Sequence, residues 1–230
     1  MQKTAGVLAA VVVLAAGPLR IMADDSKAPR HLIYLHGRII QEQQSARPQH
    51  PQFGYYELEK ILDAFRSRGF LVSSEIRPKG ASMSESADRV VEEVQRLLRS
   101  GVPADHVAVV GASMGAEIAL LASARLQNPE VRFGLLGACL SESIRSLGAE
   151  EGKVPSGHLL AIREASDDLG GPCPSWSEET KSGSTFVARE IVVRTGLSHG
   201  FLYRPLPEWV NPVVEWAEAS KKAGDQAPKR

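Results

Sequence analysis

The most informative segment of this 230-residue chain reads His106-Val-Ala-Val-Val-Gly-Ala-Ser-Met-Gly-Ala116. Its apolar part, Val107 to Val110, has the continuous hydrophobicity of a strand that is covered on both faces. The pattern Gly111-x-Ser113-x-Gly115 follows directly, and a segment rich in alanine and leucine comes after it. A strand that turns this sharply into a helix holds its central residue in strained backbone dihedrals, and only small neighbours allow that turn. The segment therefore predicts a Ser113 hydroxyl that is exposed at the carboxyl edge of a sheet.

Length and charge limit the classes of protein to consider. The chain has 230 residues, of which 43% are hydrophobic, and its formal net charge is zero. That length can bury a full core as one α/β domain. A balanced charge without a basic stripe is not the pattern of a protein that binds polyanions. We therefore expect a small-molecule partner and no nucleic-acid partner.

The amino terminus has the features of an export signal. Lys3 supplies a positive end, Ala5 to Ala16 form an apolar segment, and Gly17-Pro18 interrupts it before Ala23. An apolar stretch of about 12 residues falls short of the roughly 20 that span a bilayer as a helix. Cleavage near Ala23, which leaves no membrane span, is therefore favoured over an anchor. The predicted organisation is a signal peptide at 1–23, one α/β domain at 24–220 and a flexible tail at 221–230, with export to the periplasm or the medium.

Two cysteines accompany this signal. Cys139 is predicted at the end of one strand and Cys173 in the loop after the next strand. Both would lie at the same edge of the sheet, where a disulfide is geometrically allowed and suits an exported protein. The alternative is two unpaired thiols, with Cys139 packed as a small apolar side chain. The sequence leaves both options open.

Apolar strands alternate with amphipathic helices along the rest of the chain. This alternation predicts a three-layer α/β/α sandwich around a mostly parallel sheet of about six strands. Trp209, Val213 and Trp216 mark a final helix that packs into the core. The longest irregular stretch is predicted from Arg38 to Gly54, and the connection after Cys139 is too short for a large lid. The predicted strands are His31–Leu35, Phe70–Ile76, Val107–Gly111, Val131–Leu136, His158–Ile162 and Phe186–Val193.

A serine hydroxyl needs a base within hydrogen-bond reach and a third group that orients the base. His199 is the best candidate base, because it follows the last strand and precedes the last helix. The acid is expected in the loop after the penultimate strand, where Asp167 is preferred over Asp168. Glu164, at the strand end, is the third carboxylate of that loop. Glu142, after the preceding strand, is the most distant alternative.

The chain order Ser113, Asp167, His199 resembles that of the α/β-hydrolase superfamily. The resemblance covers nearly all of the chain after the leader and implies a compact, esterase-like serine hydrolase. His36-Gly37-Arg38 is similar to the turn after an early strand that supplies a backbone amide to the oxyanion in these enzymes. By that resemblance, the amide of Arg38 or of Gly37 would act together with the amide of Met114. Arg38 departs from the family pattern because it is large and charged; it would either bind an anionic substrate group or point to solvent.

The resemblance implies hydrolysis of an ester or a thioester of a small substrate. No cofactor or metal is expected, because no phosphate-binding glycine loop or zinc-ligand spacing occurs in the sequence. The segment Gln41 to Tyr56 is expected over the mouth of the site. The alternatives are a catalytically silent binding domain of the same fold and a peptidase or acyltransferase on the same scaffold.

Overall fold

The computed structural model describes residues 28–138, 154–170 and 186–219. The strands are β1 (His31–Leu35), β2 (Gln49–His50), β3 (Gly54–Tyr55), β4 (Leu71–Ser73), β5 (Val107–Ala112), β6 (Arg132–Leu136), β7 (Gly157–Glu164) and β8 (Phe186–Val193). The α-helices are α1 (Arg38–Gln43), α2 (Leu58–Arg66), α3 (Met83–Arg99), α4 (Met114–Leu126) and α5 (Pro207–Glu218). Short 3-10 helices cover Ala104–His106 and Ser198–Tyr203.

One parallel sheet organises the described residues. Its strand order is β4-β1-β5-β6-β7-β8, and each neighbouring pair is parallel. The predicted six-strand sheet is confirmed, with β4 shorter than predicted because it ends at Ser73. All carboxyl ends of a parallel sheet lie at one edge, where the connecting loops form a crevice. The residues that follow β5, β7 and β8 therefore meet at this edge.

Two apolar clusters cover the two faces of the sheet. In β1, Ile33 and Leu35 pack with the cluster that includes α3 and α4, whereas Leu32 and Tyr34 pack with α2 and α5 on the other face. This division follows from the two-residue period of a strand. Trp209 of α5 is fully buried, as predicted for the final helix. The three-layer sandwich is thus confirmed.

The prediction of an irregular stretch from Arg38 to Gly54 was wrong. The chain forms α1 directly after Gly37, and β2 pairs with β3 as a small antiparallel ladder. Helix α1 has six residues, no side-chain cap and no acidic residue in its first turn, so it gives almost no periodic signal. Burial of Ile40 holds it against the sheet.

Several predictions fall on residues outside the described ranges. They are the signal peptide at 1–23, the tail at 221–230, the pairing of Cys139 with Cys173, and Glu142. The described ranges contain no lid domain, and the segments 139–153 and 171–185 lie outside them. No helix among the described residues is long and apolar enough to cross a membrane.

Candidate active site

The turn between β5 and α4 places Ser113 at the centre of the sheet's carboxyl edge. Ser113 has φ of 53° and ψ of −122°, which is strained for a residue with a side chain. Steric crowding explains the neighbouring glycines. A Cβ added to Gly111 would lie 2.0 Å from the Gly115 carbonyl oxygen, and one added to Gly115 would lie 2.1 Å from the Leu35 carbonyl oxygen. The predicted sharp turn is therefore present, and both glycines are sterically required.

Two further predicted residues contact Ser113 in series. His199 Nε2 lies 3.0 Å from Ser113 Oγ, and His199 Nδ1 lies 2.8 Å from Asp167 Oδ2. A carboxylate accepts hydrogen bonds, so we assign the proton to Nδ1, which leaves Nε2 free to accept the hydroxyl proton. The Asp167 side chain is fully buried, whereas that of His199 is 11% exposed. The structure thus assembles Ser113, His199 and Asp167 into one hydrogen-bonded chain.

The backbone of its own loop holds Asp167 in place. The N–H groups of Leu169 and Gly170 donate to Asp167 Oδ1 at 3.0 and 3.3 Å, leaving Oδ2 for His199. A Cβ on Gly170 would come within 3.0 Å of Oδ2. Asp168, the second-ranked acid, is exposed on the same loop. Of the carboxylates weighed in this loop, the structure brings Asp167 to the base.

Glu164 makes a different set of contacts, which the sequence did not reveal. It is 1% exposed, and its Oε1 accepts the N–H groups of Thr195 and Gly196 at 2.9 and 3.1 Å. Its Oε2 accepts the N–H and the hydroxyl of Ser166. Burial acts to raise the pKa of Glu164, but these donors outweigh burial and lower the pKa below its usual value. Glu164 therefore ties the loop that carries Asp167 to the loop that carries His199.

The three predicted oxyanion-binding residues lie beside the nucleophile. Arg38 and Met114 are the first residues of α1 and α4, and neither N–H has a hydrogen-bond acceptor among the described residues. Gly37 packs closely against the turn, since a Cβ on it would lie 3.6 Å from Ser113 Cβ. The Gly37 backbone also lies near the Tyr56 hydroxyl and acts to lower the pKa of that group, although burial raises it overall. The sequence left the amides of Gly37 and Arg38 open; in the structure, Arg38 is the residue that begins a helix, with Gly37 as its N-cap.

A buried polar cluster packs against the turn formed by His36, Gly37 and Arg38. The Arg77 N–H donates to His36 Nε2 at 3.1 Å, and the Arg77 guanidinium donates to the His36 carbonyl and to Gln41 Oε1. Burial, assisted by the Arg77 charge, lowers the pKa of His36 to about 4. Burial also lowers the pKa of Arg77 to about 10. His36 is therefore a neutral structural residue that positions the turn.

A cavity of about 570 Å³ opens above Ser113 and His199. The segment from α1 to Tyr56 lines one side, as predicted, through Gln43, His50, Phe53 and Tyr56. Tyr55, in contrast, is 43% exposed and lies under the Arg47 guanidinium at 4.0 Å. A second cavity of about 770 Å³ lies between β4 and α3 and contains none of the predicted site residues.

Metal ligation has no support within the described part of the chain. No group of three or more His, Cys, Asp or Glu side chains there could hold a metal ion. The chemistry that the arrangement supports is proton transfer from a serine hydroxyl to an imidazole.

Comparisons with known proteins give the class of fold. No protein-family model and no curated protein sequence matches the chain. A SOBER1 variant from Arabidopsis thaliana matches with a TM-score of 0.54 at 12% identity, over 82% of this chain and 98% of that one. An S-formylglutathione hydrolase from Agrobacterium tumefaciens matches with a TM-score of 0.53 at 14% identity, over 83% of each chain.

A third solved structure, esterase B from Lactobacillus rhamnosis with a tributyrin phosphonate inhibitor, matches with a TM-score of 0.51 at 12% identity. That match covers 83% of this chain and 76% of the esterase. These structures are α/β-hydrolases, and likeness at such low identity establishes the fold. The chain therefore has the α/β-hydrolase fold, as its sequence predicted.

Proposed function

We propose that this protein is a serine hydrolase that cleaves an ester or thioester of a small substrate through an acyl-enzyme on Ser113. The observation that carries the proposal is the hydrogen-bonded chain from Ser113 Oγ through His199 to the buried Asp167. Ser113 stands at a strained turn with a positive φ, where a side chain on Gly111 or Gly115 would clash with the backbone. Strain of this kind persists where the surrounding structure enforces it, and it concentrates at functional sites.

The geometry supports a two-step reaction. His199 Nε2 takes the Ser113 proton while Oγ attacks the substrate carbonyl carbon, and the carbonyl oxygen becomes an oxyanion. When the oxyanion collapses, the bond to the alcohol or thiol breaks and His199 gives the proton to the leaving group. Water then attacks the acyl-enzyme with His199 as the base, which releases the acid and restores Ser113. Asp167 holds Nδ1 protonated and stabilises the imidazolium.

The amides of Arg38 and Met114 are proposed to bind the oxyanion. Both are free N–H groups at helix starts, where the partial charge of the helix favours an anion. Removing one such donor typically costs about 3 kcal/mol of transition-state stabilisation. The buried cluster of Arg77 and His36 fixes the turn, so the Arg38 amide needs little reorganisation during the reaction.

The size of the cavity and the solved structures favour small esters. About 570 Å³ lies within the range of small-molecule sites, roughly 300–1,000 Å³. The similar structures include an S-formylglutathione hydrolase and an esterase with a tributyrin phosphonate inhibitor. Their names indicate thioester and short-acyl ester chemistry for those proteins, and we propose the same class of substrates here.

Hydrolysis of acyl esters of graded length tests the proposal. Wild-type protein is expected to turn over short-chain para-nitrophenyl esters and thioesters, and Ser113→Ala and His199→Ala are expected to lose that turnover. The residual rate of each single variant should match that of the double variant Ser113→Ala with His199→Ala, since such residues act as a unit. A folded wild type that hydrolyses no ester, thioester or peptide would favour a catalytically silent binding domain.

Export stays a prediction that rests on the sequence of residues 1–23. We propose a periplasmic or secreted enzyme that has lost its leader near Ala23. Expression in a bacterium followed by amino-terminal sequencing of the mature protein tests this. A mature chain that begins at Met1 and stays in the cytoplasm would contradict it.

A further inference from the structure

One charged side chain of the cavity has no role in the chemistry proposed above. Glu117 lies one helical turn after the nucleophile, since its N–H donates to the Ser113 carbonyl at 3.4 Å. Its half-buried side chain lines the same cavity as Ser113 and His199. Glu117 therefore borders the same space as the nucleophile, where a bound ester would lie.

Glu117 has no hydrogen-bond or ion-pair partner among the described residues. Burial raises its pKa, and Arg38 is the charged group that acts in the opposite direction. A partly buried carboxylate without a donor loses solvation that nothing in the protein replaces. A molecule that enters the cavity with an N–H donor or a positive charge would supply the missing partner.

The rest of the cavity wall favours a cation over an anion. The charged groups that line it are Arg38, Glu42 and Glu117, so two carboxylates face one guanidinium. Arg38 and Glu42 are both exposed, so solvent screens their opposite charges and leaves the half-buried Glu117 as the least screened charge of the wall. The wall also carries aromatic rings: His50 stacks on Phe53 with centroids 4.6 Å apart. Aromatic faces attract ammonium groups.

We propose that Glu117 selects substrates that carry an ammonium group close to the cleaved ester, and that it disfavours substrates with a carboxylate there. This inference rests on the proposed esterase activity and names its substrate class. Glu117 contacts the substrate without touching the reacting atoms, so it determines specificity. The ammonium group can belong to the acyl part or to the alcohol part of the ester, since both parts would lie in the cavity that Glu117 lines.

Matched ester series test the proposal. The first compares methyl esters of butyrate, γ-aminobutyrate and hemisuccinate, which differ in charge but hardly in length and whose poor leaving group keeps spontaneous cyclisation slow. The second compares acetylcholine, the acetate ester of choline, with its neutral carbon isostere, 3,3-dimethylbutyl acetate. The readout is the ratio of kcat/KM for the charged ester to that for the neutral ester. In at least one series, we expect wild type to favour the ammonium ester about tenfold. The γ-ammonium group can donate a hydrogen bond to the carboxylate, whereas the trimethylammonium group of choline has no N–H and is attracted by charge and by the aromatic wall.

Two variants separate a local contact from a general effect of charge. Glu117→Gln is expected to abolish the ammonium preference and to raise the relative rate of the hemisuccinate ester. Glu215→Gln removes an exposed carboxylate on α5, outside the cavity, and should keep the wild-type ratio. A wild type without ammonium preference in either series, or the same ratio in Glu117→Gln as in wild type, would overturn the proposal. If wild type shows no Ser113-dependent hydrolysis of the neutral esters, the proposed esterase activity itself is overturned.

Discussion

Replacing Glu164 with glutamine tests how the loops of the proposed triad are held together. The wild-type carboxylate accepts hydrogen bonds from two loops, through Ser166 on one side and Thr195 and Gly196 on the other. Glutamine keeps one acceptor oxygen and places an NH₂ group against the donors of the other loop. Losing hydrogen bonds to a buried charged acceptor costs about 1.5–3 kcal/mol each, part of which water recovers at the loop surface. We expect Glu164→Gln to lower the free energy of unfolding by about 3 kcal/mol near neutral pH.

The pH dependence of this difference follows from the pKa of Glu164. Because the folded protein lowers that pKa, the ionised carboxylate contributes stability above the pKa of the unfolded chain. That contribution is lost as the pH falls through the lower folded pKa. The difference in free energy of unfolding between wild type and Glu164→Gln, here called the gap, should therefore be largest near neutrality and shrink below about pH 4. Urea unfolding followed by circular dichroism at several pH values measures the gap.

Catalysis should also respond, because Asp167 directly follows the Glu164 contact Ser166 and His199 lies three residues after the contact Gly196. A misplacement of about 1 Å in such a site costs on the order of a hundredfold in rate. We expect kcat to fall by that order, with KM changed less than about threefold. Glu190→Gln is the matched control, since Glu190 makes a partly exposed ion pair with Arg163 at 2.8 Å and should cost less than about 1 kcal/mol. Equal effects of the two substitutions, or a gap that persists in acid, would refute this role for Glu164.

Three other substitutions have defined outcomes. Gly115→Ala should prevent correct folding, because its Cβ would lie 2.1 Å from the Leu35 carbonyl oxygen; a soluble variant with a native circular dichroism spectrum would contradict this. Ser113→Gly should raise the free energy of unfolding by about 1 kcal/mol over Ser113→Ala, since glycine relieves the strain of a positive φ; equal denaturation midpoints would argue against strain. Asp167→Asn should lower kcat about 10⁴-fold with little loss of stability, whereas Asp168→Asn should be near normal; the reverse order would reassign the acid.

The sequence predicted the parts of the fold that have a strong local signal. The apolar run of β5 and the glycines at 111 and 115 have one steric explanation, and the structure shows it. Chain order was enough to predict that the loop after β7 meets the loop of His199, because loops after parallel strands share one edge. The preference over Asp168 could not be settled by pattern, since it depends on which carboxylate the loop buries.

Other features depend on contacts that are distant in sequence. Glu164 was weighed as an acid, but its partners at 195 and 196 are more than thirty residues away, and no local pattern reports such a pair. Helix α1 and the β2–β3 ladder are too short to show a period. The choice of the Arg38 amide over that of Gly37 follows from helix α1, which begins at Arg38 and which the sequence did not predict.

Covalent labelling with a fluorophosphonate, followed by intact-protein and peptide mass spectrometry, tests the central claim most directly. The probe reacts with an activated serine, so wild type is expected to gain one phosphonyl group on the peptide that contains Ser113. Ser113→Ala should gain none, and His199→Ala should react far more slowly because the hydroxyl keeps its proton. A folded wild type that stays unlabelled, or equal labelling of Ser113→Ala, would contradict a nucleophilic Ser113.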